Sequence, residues 1–379
     1  MNTARRLEYI EEYYFSRKLK EVGHLISHGK PIINLGIGSP DLMPPKSTID
    51  SLIEALKSPL AHKYQSYNGI NSLRQAIKSF YFNNYNVDLN HEHEILPLIG
   101  SKEGIMHISL AFLDEGDEVL IPNPGYPTYS SVTKIVGAKP VFYDLKESNS
   151  WLPNIKNLEK MNLSKVKIMW VNYPNMPTGS NCSLSFFNDL ISFCEERNIL
   201  LINDNPYSFI LNDNPISLLM ARKSKNCLEL NSLSKSHNMA GWRLGMVVGS
   251  QENISSILKI KSNMDSGMFL PIQVGAVDAL NQSENWYRDL NKIYLNRKKV
   301  VIEICEKLNL KFNKNGSGLF LWGKIPSEYK KSEDFTDELL YDKNIFMTPG
   351  SIFGSNGEGY VRISLCCDKQ KLKEALKRL

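Results

Sequence analysis

Short apolar runs alternate with helical patterns over residues 95–249, and this alternation restricts the possible fold more than any other feature of the sequence. The runs that predict buried strands are EVLIPN (118–123), VKIMWVN (166–172), ILLINDN (199–205), CLEL (227–230) and LGMVVG (244–249). Helical patterns cover residues 101–114 and 183–198, and Ser183 is the expected N-cap of the second. Strands joined by helical crossovers favour an α/β fold with a mainly parallel central sheet flanked by helices.

The chain is long enough for two domains. At 379 residues it exceeds what one small core usually holds. After about residue 285 the pattern changes to a long helix and three strand-like runs, GLFLWGKI, NIFMTPG and GYVRISLC, followed by a closing helix. We therefore predict a large domain over residues 46–285 and a smaller α+β domain built from residues 1–45 and 286–379.

Composition and charge exclude several classes of protein. The net charge of +5 is spread along the chain beside acidic residues, which argues against a nucleic-acid partner. The six cysteines form no CxxC pair, as expected in a reducing compartment. The N-terminus lacks the apolar core of a signal peptide, and no apolar run is long enough to cross a membrane. We expect a cytoplasmic protein without a membrane partner.

Ligands of parallel sheets bind beyond the carboxyl ends of the strands, so the residues that follow each strand are the candidates for chemistry. Ser101 and Lys102 begin a helix after ILPLIG, where free backbone N–H groups suit an anion, although a polar helix start is more often only a cap. Tyr126 lies in the stiff turn PGYPTY (124–129), where its ring either packs within the turn or lies against a flat ligand.

The stretch ILLINDNPY (199–207) places Asp204 where a strand ends. A carboxylate there needs a cationic or hydrogen-bonding partner, such as a protonated ring nitrogen. Tyr207, three residues later, could reach a phenolic oxygen of the same ring. On this feature alone, an aspartate that caps a turn is an equal alternative.

The stretch SLSKSHNMAGWRLG (232–245) places Lys235 and Arg243 on a connection made of small residues. A poorly solvated lysine beside a cation has a depressed pKa, which suits Schiff-base chemistry, whereas a solvated loop is the alternative. Arg243 suits a phosphate, to which Ser232 and Ser234 could add hydroxyl donors. Because all these groups are expected to follow strands of one sheet, they describe a pocket for a flat, phosphorylated cofactor.

These residues carry a resemblance to the fold-type-I pyridoxal-phosphate enzymes of the class I/II aminotransferase family. The stretch SLSKSHNMAGWRLG is similar to the cofactor-lysine motif of that family. Further similar stretches, in family order, are NLGIGSPD (34–41), YQSYNGINSLRQAI (64–77), PGYPTY, YPNMPTG (173–179), DNPY (204–207) and YVRISL (360–365). Together they cover nearly the whole chain.

The resemblance implies a role for each matching residue. Lys235 would bind pyridoxal 5'-phosphate as a Schiff base and then move the proton at the substrate Cα. Asp204 would pair with the ring nitrogen, Tyr207 with the phenolic oxygen, and Tyr126 would stack on the ring. The phosphate would be held by Ser101, Lys102, Ser232, Ser234 and Arg243.

For the substrate, the resemblance implies that Arg362 grips the α-carboxylate and that Gly38 lines the substrate side. It also implies a homodimer with shared active sites, in which Tyr64 reaches into the pocket of the other copy. The short segment EYYFSRKL (12–19), with Tyr13, Tyr14, Phe15 and Arg17, is a candidate cap over the pocket.

The sequence departs from the family pattern at Met176. The family usually has Asn-Pro-Thr-Gly, with the asparagine donating to the phenolic oxygen, and a thioether cannot donate. Either Asn175 takes over this contact from the neighbouring position, close to both cofactor and substrate, or Tyr207 holds the phenolic oxygen alone. Losing the donor should raise the pKa of the Schiff base.

The leading functional hypothesis is a ping-pong aminotransferase that uses an L-amino acid and a 2-oxo acid. A carbon–sulfur β-lyase on the same fold is the nearest alternative, and a non-catalytic cofactor-binding module is a third. No metal site is expected, because His91 and His93 lack further ligands nearby. The amino donor stays open, with aromatic, aliphatic, acidic and diaminopimelate-type donors all compatible.

Overall fold

The structure is a computed structural model of the 379-residue chain, and it describes residues 2–10, 12 and 14–379. The α-helices, in chain order, are α1 (Tyr14–Ser27), α2 (Lys46–Leu56), α3 (Asn71–Tyr85), α4 (Ser101–Phe112), α5 (Pro127–Ile135), α6 (Ile155–Leu158), α7 (Leu184–Glu195), α8 (Leu233–Ser236), α9 (Gln251–Lys261), α10 (Leu270–Leu280), α11 (Glu284–Lys307), α12 (Ser332–Lys343) and α13 (Lys369–Arg378). Short 3₁₀ turns cover Arg5–Tyr9, Pro59–His62, Glu147–Asn149, Leu218–Met220, Ala240–Trp242, Gly350–Phe353 and Ser355–Gly357.

The strands, in chain order, are β1 (Ile33–Asn34), β2 (Ile95–Leu98), β3 (Glu118–Asn123), β4 (Lys139–Asp144), β5 (Val166–Val171), β6 (Leu200–Asp204), β7 (Cys227–Ser232), β8 (Gly245–Gly249), β9 (Lys311–Phe312), β10 (Phe320–Lys324), β11 (Ile345–Phe346), β12 (Thr348–Pro349) and β13 (Tyr360–Ser364). The strand β4, with its mixed exposure, was not among the apolar runs that the sequence singled out. Each apolar run named above contains a strand, and NIFMTPG contains two, β11 and β12. Ser183 caps α7 by accepting a hydrogen bond from the N–H of Phe186.

A seven-stranded sheet in the order β2-β8-β7-β6-β5-β3-β4 is the centre of the fold. The strands β7, β6, β5, β3 and β4 run parallel, as predicted, and all of them except β4 are mostly buried. The strand β8 is antiparallel to both β7 and β2. The sheet is therefore mainly parallel, with one reversed strand.

The reversal of β8 corrects one prediction from the sequence. Arg243 precedes β8 instead of following a strand. Since β8 runs backwards, its first residue, Gly245, lies opposite both Leu98 and Ser232, the last residues of β2 and β7. Arg243 therefore reaches the same edge of the sheet as the residues that follow the parallel strands.

The remaining sheets come from the two ends of the chain. β12, β13, β10 and β9 form an antiparallel sheet, and β1 pairs in parallel with β11. The N-terminal and C-terminal segments are also joined by a hydrogen-bonded ion pair, 2.7 Å long, between Lys18 on α1 and Asp337 on α12. The proposed division into residues 46–285 and residues 1–45 with 286–379 is in keeping with this distribution of strands and stays a proposal.

Candidate active site

A cavity of about 380 Å³ lies at the carboxyl edge of the seven-stranded sheet, against residues of α1 and of the C-terminal sheet. Eleven of the residues predicted from the sequence line it: Gly38, Ser101, Lys102, Tyr126, Asp204, Tyr207, Ser232, Ser234, Lys235, Arg243 and Arg362. Two residues with a predicted cofactor or substrate role, Tyr64 and Asn175, are not in its lining, and neither are Tyr14 and Arg17 of the proposed cap. The structure thus gathers groups from segments more than 300 residues apart in the chain.

Lys235 lies on the single turn of α8, directly after β7. Ser232 caps this turn, since its hydroxyl accepts from the N–H of Ser234 over 3.1 Å. The partly buried Nζ of Lys235 donates to the carbonyl oxygen of Gly38 over 2.6 Å. Burial lowers the pKa of Lys235, and the positive charges of Arg362 and Arg243 lower it further. A lowered pKa makes the neutral amine, which is the nucleophilic form, more accessible than in a solvated lysine.

Asp204 ends β6 at the floor of the cavity and is buried. Its Oδ2 accepts from the hydroxyl of Tyr129 over 2.8 Å, and the ring of Tyr129 is stacked on Trp170 with 5.0 Å between centroids. Its Oδ1 is buried without a hydrogen-bond partner. Burial is the main reason that the pKa of Asp204 rises to about 6. A buried oxygen of this kind calls for a donor, and a protonated ring nitrogen would be one.

Arg243, Ser101 and Lys102 form a cationic cradle where α4 begins. Gly100 precedes that helix with φ of 83°, and a Cβ added there would lie 2.3 Å from Nη2 of Arg243. The guanidinium thus rests on the backbone of the glycine at the N-terminal end of a twelve-residue helix. Burial, and then the charge of Arg243, lower the pKa of Lys102. A phosphate would suit both cations and the helix N–H groups.

Arg362 lies on β13 and is buried. Its Nη2 donates to the carbonyl oxygen of Gly36 over 2.8 Å, and its Nη1 donates to the sulfur of Met176 over 3.2 Å. The ring of Phe320 lies 4.0 Å from its Cζ, and that of Phe353 lies 4.7 Å away. These contacts fix the plane of the guanidinium, which suits recognition of a carboxylate by two parallel hydrogen bonds.

The two aromatic residues predicted at the ring lie in the lining with defined contacts. Tyr126 is the N-cap residue of α5 and meets Tyr129 edge-on at 5.6 Å between centroids. Tyr207 meets Phe320 edge-on at 6.0 Å. Burial raises the pKa of Tyr207, so its hydroxyl stays protonated and can donate to a phenolic oxygen.

Asn175, one of the two candidates to replace the family asparagine missing at Met176, lies outside the cavity lining. The amide of Asn175 is used within its own turn: its Oδ1 accepts from the hydroxyl of Thr178 over 2.7 Å, and its Nδ2 donates to the carbonyl oxygen of Asn172 over 3.2 Å. Met176 itself lines the cavity. Asn175 is not in the cavity lining, and its role beside the cofactor and substrate stays a prediction.

Asn172 lines the cavity and was missed from the sequence. Its Nδ2 donates to the carbonyl oxygen of Asp204, and its Oδ1 accepts from the N–H of Met176 over 2.7 Å. It thereby ties the end of β5 to the end of β6. The sequence did carry a signal, because Asn172 directly follows the apolar run VKIMWV, as Asp204 ends the next run.

Further residues of the cavity lining come from segments to which the sequence assigned no cofactor or substrate role. Phe15 and Leu19 on α1 line the cavity, as do Phe320 and Phe353. Phe15 was expected in a cap over the pocket, whereas Tyr13 of the same segment lies outside the described residues. His237, next to the lysine, is buried away from the lining, with its Nε2 3.1 Å from the hydroxyl of Tyr287, and burial lowers its pKa to about 3.

Pyridoxal 5'-phosphate fits these residues. The buried Oδ1 of Asp204 offers an acceptor for the ring nitrogen, and Lys235 offers an amine with a lowered pKa. The cradle at Gly100 offers two cations and a helix N-terminus for the phosphate. The cavity therefore contains matching groups for three separate parts of that cofactor.

Comparison with known proteins gives consistent results. The family model for class I and II aminotransferases matches residues 30–379. An LL-diaminopimelate aminotransferase of Natranaerobius thermophilus is 40% identical over 382 residues, covering 100% of this chain and 99% of that protein. One of Aquifex aeolicus is 38% identical, with 99% and 97% covered.

Solved structures are similar over the same length. A substrate-bound structure of BacF from Bacillus subtilis has a TM-score of 0.94 at 35% identity, covering 100% of this chain and 97% of that one. An aromatic aminotransferase from Pyrococcus horikoshii has a TM-score of 0.89 at 28% identity, covering 98% and 96%.

Proposed function

We infer the site of reaction from the premise that this chain belongs to the class I and II aminotransferase family. The protein is a pyridoxal-phosphate-dependent aminotransferase, and we propose that the cavity beside Lys235 is its active site. There an L-amino acid leaves its amino group and departs as a 2-oxo acid, and a second 2-oxo acid collects that group. The observation that carries the proposal is that Lys235 and the buried Asp204 line one cavity with Arg243 and Arg362.

When bound, pyridoxal phosphate supplies an aldehyde that captures an amino group and a ring that accepts electrons from the Cα–H bond. The residues of the chain do the rest. The carboxylate of Asp204, buried and with Oδ1 free of hydrogen bonds, would keep a proton on the ring nitrogen of the bound cofactor. Tyr126 would lie against one face of the ring, and the hydroxyl of Tyr207 would donate to its phenolic oxygen.

Lys235 moves the proton. Its Nζ, whose pKa is lowered by burial, would take the proton from the substrate Cα and pass it to the cofactor carbon. Arg362 orients the substrate by holding the α-carboxylate, so that the Cα–H bond faces the lysine. The buried rings of Phe320 and Phe353 keep water from the guanidinium and strengthen this contact.

Replacement of the lysine tests the proposal. In Lys235→Ala we expect kcat to fall at least about 1,000-fold, because one residue supplies both the amine and the proton transfer. Cofactor retained after desalting should remain measurable, since the phosphate cradle is intact. The matched control is Lys225→Ala, which removes an exposed lysine. Visible absorbance after adding an L-amino acid, and then a 2-oxo acid, follows the two halves of the reaction.

The outcomes separate the alternatives. Loss of colour with an amino acid and its return with a 2-oxo acid are expected for the wild type. Release of a 2-oxo acid with ammonia, without any need for a second 2-oxo acid, would instead identify a β-lyase. An unchanged rate in Lys235→Ala would contradict the proposed role of the lysine.

We further propose a homodimer in the cytoplasm in which Tyr64 of one copy enters the cavity of the other. Tyr64 is 90% exposed and outside its own cavity lining. Leu60, four residues earlier in the chain, and Met264 are also exposed, and Gly267 packs directly on the backbone of Gln65. Sedimentation of the wild type should give twice the chain mass, and a monomer with full activity would overturn the proposal. Cell fractionation tests the location.

A further inference from the structure

A short stretch between β1 and α2, residues 35–41, contacts both groups that are proposed to act on the substrate. The carbonyl oxygen of Gly36 accepts from Nη2 of Arg362 over 2.8 Å, and that of Gly38 accepts from Nζ of Lys235 over 2.6 Å. We call this stretch the substrate-side segment. We also call the part of the cavity around Arg362 its substrate half, and the part beside the phosphate cradle its cofactor half. The segment therefore links the guanidinium proposed for the α-carboxylate to the amine proposed for proton transfer.

Both ends of the substrate-side segment are held by hydrogen bonds. At its beginning, the carbonyl oxygen of Leu35 accepts from the N–H of Ser364 over 2.8 Å. At its end, Asp41 accepts from both arms of one guanidinium. Nη1 of Arg297 donates to its Oδ1 over 2.6 Å, and Nη2 donates to its Oδ2 over 2.8 Å. Such a bidentate pair fixes the orientation of the carboxylate as well as its position.

Arg297 lies in the middle of α11 and is 4% exposed, whereas the side chain of Asp41 is 32% exposed. The Nη1 of Arg297 also donates to the carbonyl oxygen of Leu365 over 3.1 Å. Leu365 is the first residue after β13, the strand that carries Arg362. One guanidinium thus joins the end of the substrate-side segment to the end of that strand. A lysine at this position would keep the charge but not the planar fork that makes three hydrogen bonds.

The helix α11 also contacts the turn that carries Lys235. The Nε1 of Trp286, in the first turn of α11, donates to the carbonyl oxygen of Ser236 over 2.9 Å. Trp286 and Arg297 are eleven positions apart, which corresponds to about 16 Å along a helix. The same helix therefore contacts the lysine turn near its beginning and the substrate-side segment at its middle.

We propose that Arg297 is a positioning residue of the reaction, which aligns the substrate with Lys235 by holding the substrate-side segment through Asp41 and Leu365. This inference rests on the proposed function and adds to it a residue outside the cavity lining. A displacement of about 1 Å in a reacting complex can cost about 100-fold in rate. Loss of these contacts should therefore lower kcat/KM for the amino donor. Cofactor affinity should change little, because the phosphate cradle lies on other elements.

The first test compares Arg297→Lys with a matched control on the purified holoenzyme. The donor is whichever of L-glutamate, L-phenylalanine and LL-diaminopimelate the wild type consumes fastest, as followed by colour loss. We expect kcat/KM to fall about 10- to 100-fold, with the Kd of pyridoxal phosphate changed by less than about 3-fold. An equal loss in donor kcat/KM and in cofactor affinity would overturn the positioning role.

Arg197→Lys is the matched control. Arg197 contacts a carboxylate, a carbonyl oxygen and an aromatic ring, as Arg297 does, but lies outside the lining. Its Nη1 donates to the carboxylate of Glu196 over 3.1 Å and to the carbonyl oxygen of Phe193 over 3.0 Å. The control should retain kcat/KM within about 2-fold of the wild type. The same loss in both variants would mean that Arg297 has only a general structural role.

A double variant tests whether Arg297 acts through Asp41. The side chain of Asp41 is partly exposed, so Asp41→Asn can fold, and it removes one of the two charged acceptor oxygens. We expect Asp41→Asn to lower kcat/KM about 10-fold. Its addition to Arg297→Lys should cost no more than about a further 2-fold, because both changes remove the same contact. Losses that multiply in the double variant would contradict the proposed pair.

Amide hydrogen exchange separates a failure of this inference from a failure of the proposed function, because it requires no reaction. In the holoenzyme without donor, peptides that cover residues 35–41 should exchange about 10-fold faster in Arg297→Lys than in the wild type or in Arg197→Lys. Unchanged exchange in Arg297→Lys, or faster exchange with an unchanged kcat/KM, would overturn the inference. Faster exchange in a protein whose wild type consumes no amino donor would instead contradict the proposed function.

Discussion

The Nζ of Lys235 donates to the carbonyl oxygen of Gly38 over 2.6 Å, although 197 positions separate the two residues in the chain. Position 38 requires glycine, because the ring of Phe320 fills the space that a side chain there would occupy. A Cβ added to Gly38 would lie 2.1 Å from Cζ of that ring. The glycine thus lets one backbone segment touch the lysine and the face of a ring that stacks on Arg362.

Gly38→Ala should therefore impair substrate binding more than cofactor binding. The new methyl group displaces Phe320 and with it the fixed plane of Arg362, so we expect KM for the amino donor to rise about 10-fold, while cofactor affinity changes by less than about 3-fold. The control Gly23→Ala adds a methyl group in the helix α1 with no atom within 4 Å, and it should leave KM unchanged. Equal effects of Gly38→Ala on both affinities would speak against this explanation.

Gly100→Ala should weaken cofactor binding. Its Cβ would meet the guanidinium of Arg243 at 2.3 Å, and a φ of 83° adds backbone strain for any other residue. We expect the Kd of pyridoxal phosphate to rise about 10- to 100-fold, as measured by equilibrium dialysis. Gly116→Ala is the matched control, because its φ of 91° brings the same strain in open space. A similar change of Kd in both variants would assign the effect to strain alone.

The stability of the cofactor-free protein should fall as pH rises through the pKa of Asp204. Burial raises that pKa from 3.8 to about 6, so the folded state holds a proton that the unfolded state releases earlier, and this stabilisation is present at low pH and lost above about pH 6. Between pH 4.5 and 7.5 we expect the free energy of unfolding to fall by about 2 kcal/mol more in the wild type than in Asp204→Asn.

Urea unfolding at both pH values checks this expectation. The exposed Asp213→Asn serves as control and should follow the wild-type curve. Saturation with pyridoxal phosphate should abolish the difference, because a protonated ring nitrogen favours the carboxylate. Identical pH profiles for the wild type and Asp204→Asn without cofactor would show that the aspartate is charged throughout.

Met176→Asn should restore the donor that the family motif usually supplies. A hydrogen bond to a charged oxygen contributes about 1.5–3 kcal/mol, so the pH at which the bound cofactor changes colour should fall by about one to two pH units. Met176→Leu keeps an apolar side chain of similar size and should leave that pH unchanged. Since Nη1 of Arg362 donates to the sulfur, we expect both variants to raise KM about twofold. The same colour change in both would mean that the new amide does not reach the cofactor.

Much of the fold could be predicted because apolar runs and their ends are local features. The runs around Asp204 and Lys235 are strands, and both residues stand at the edge where parallel strands end. The direction of β8 could not be predicted in this way, since the same short apolar run suits either direction. Because β8 is antiparallel, Arg243, which precedes that strand, still lies near enough to Lys102 for its charge to lower the pKa of Lys102.

The substrate half of the cavity was less predictable than the cofactor half. Phe320 and Phe353 look like ordinary core residues in the sequence, which named only Phe15, as part of a cap. The packing of α1, β10 and the turn Gly350–Phe353 brings all three rings to Arg362. The place of Asn175 was equally hidden. The hydroxyl of Thr178, three residues later, donates to the side-chain oxygen of Asn175. The shape of this turn, which the sequence does not reveal, decides which of its residues faces the cavity.

The pairing of β1 with β11 has a consequence for the order in which the protein is made. The residues proposed to hold the cofactor lie between Ser101 and Arg243, so the ribosome completes them while the last third of the chain is still unmade. The helix α1 and the strand β1 are synthesised first, yet their neighbours on α12 and β11 are among the last segments to emerge. The part of the cavity around Arg362, where the substrate is proposed to bind, is therefore complete only near the end of translation.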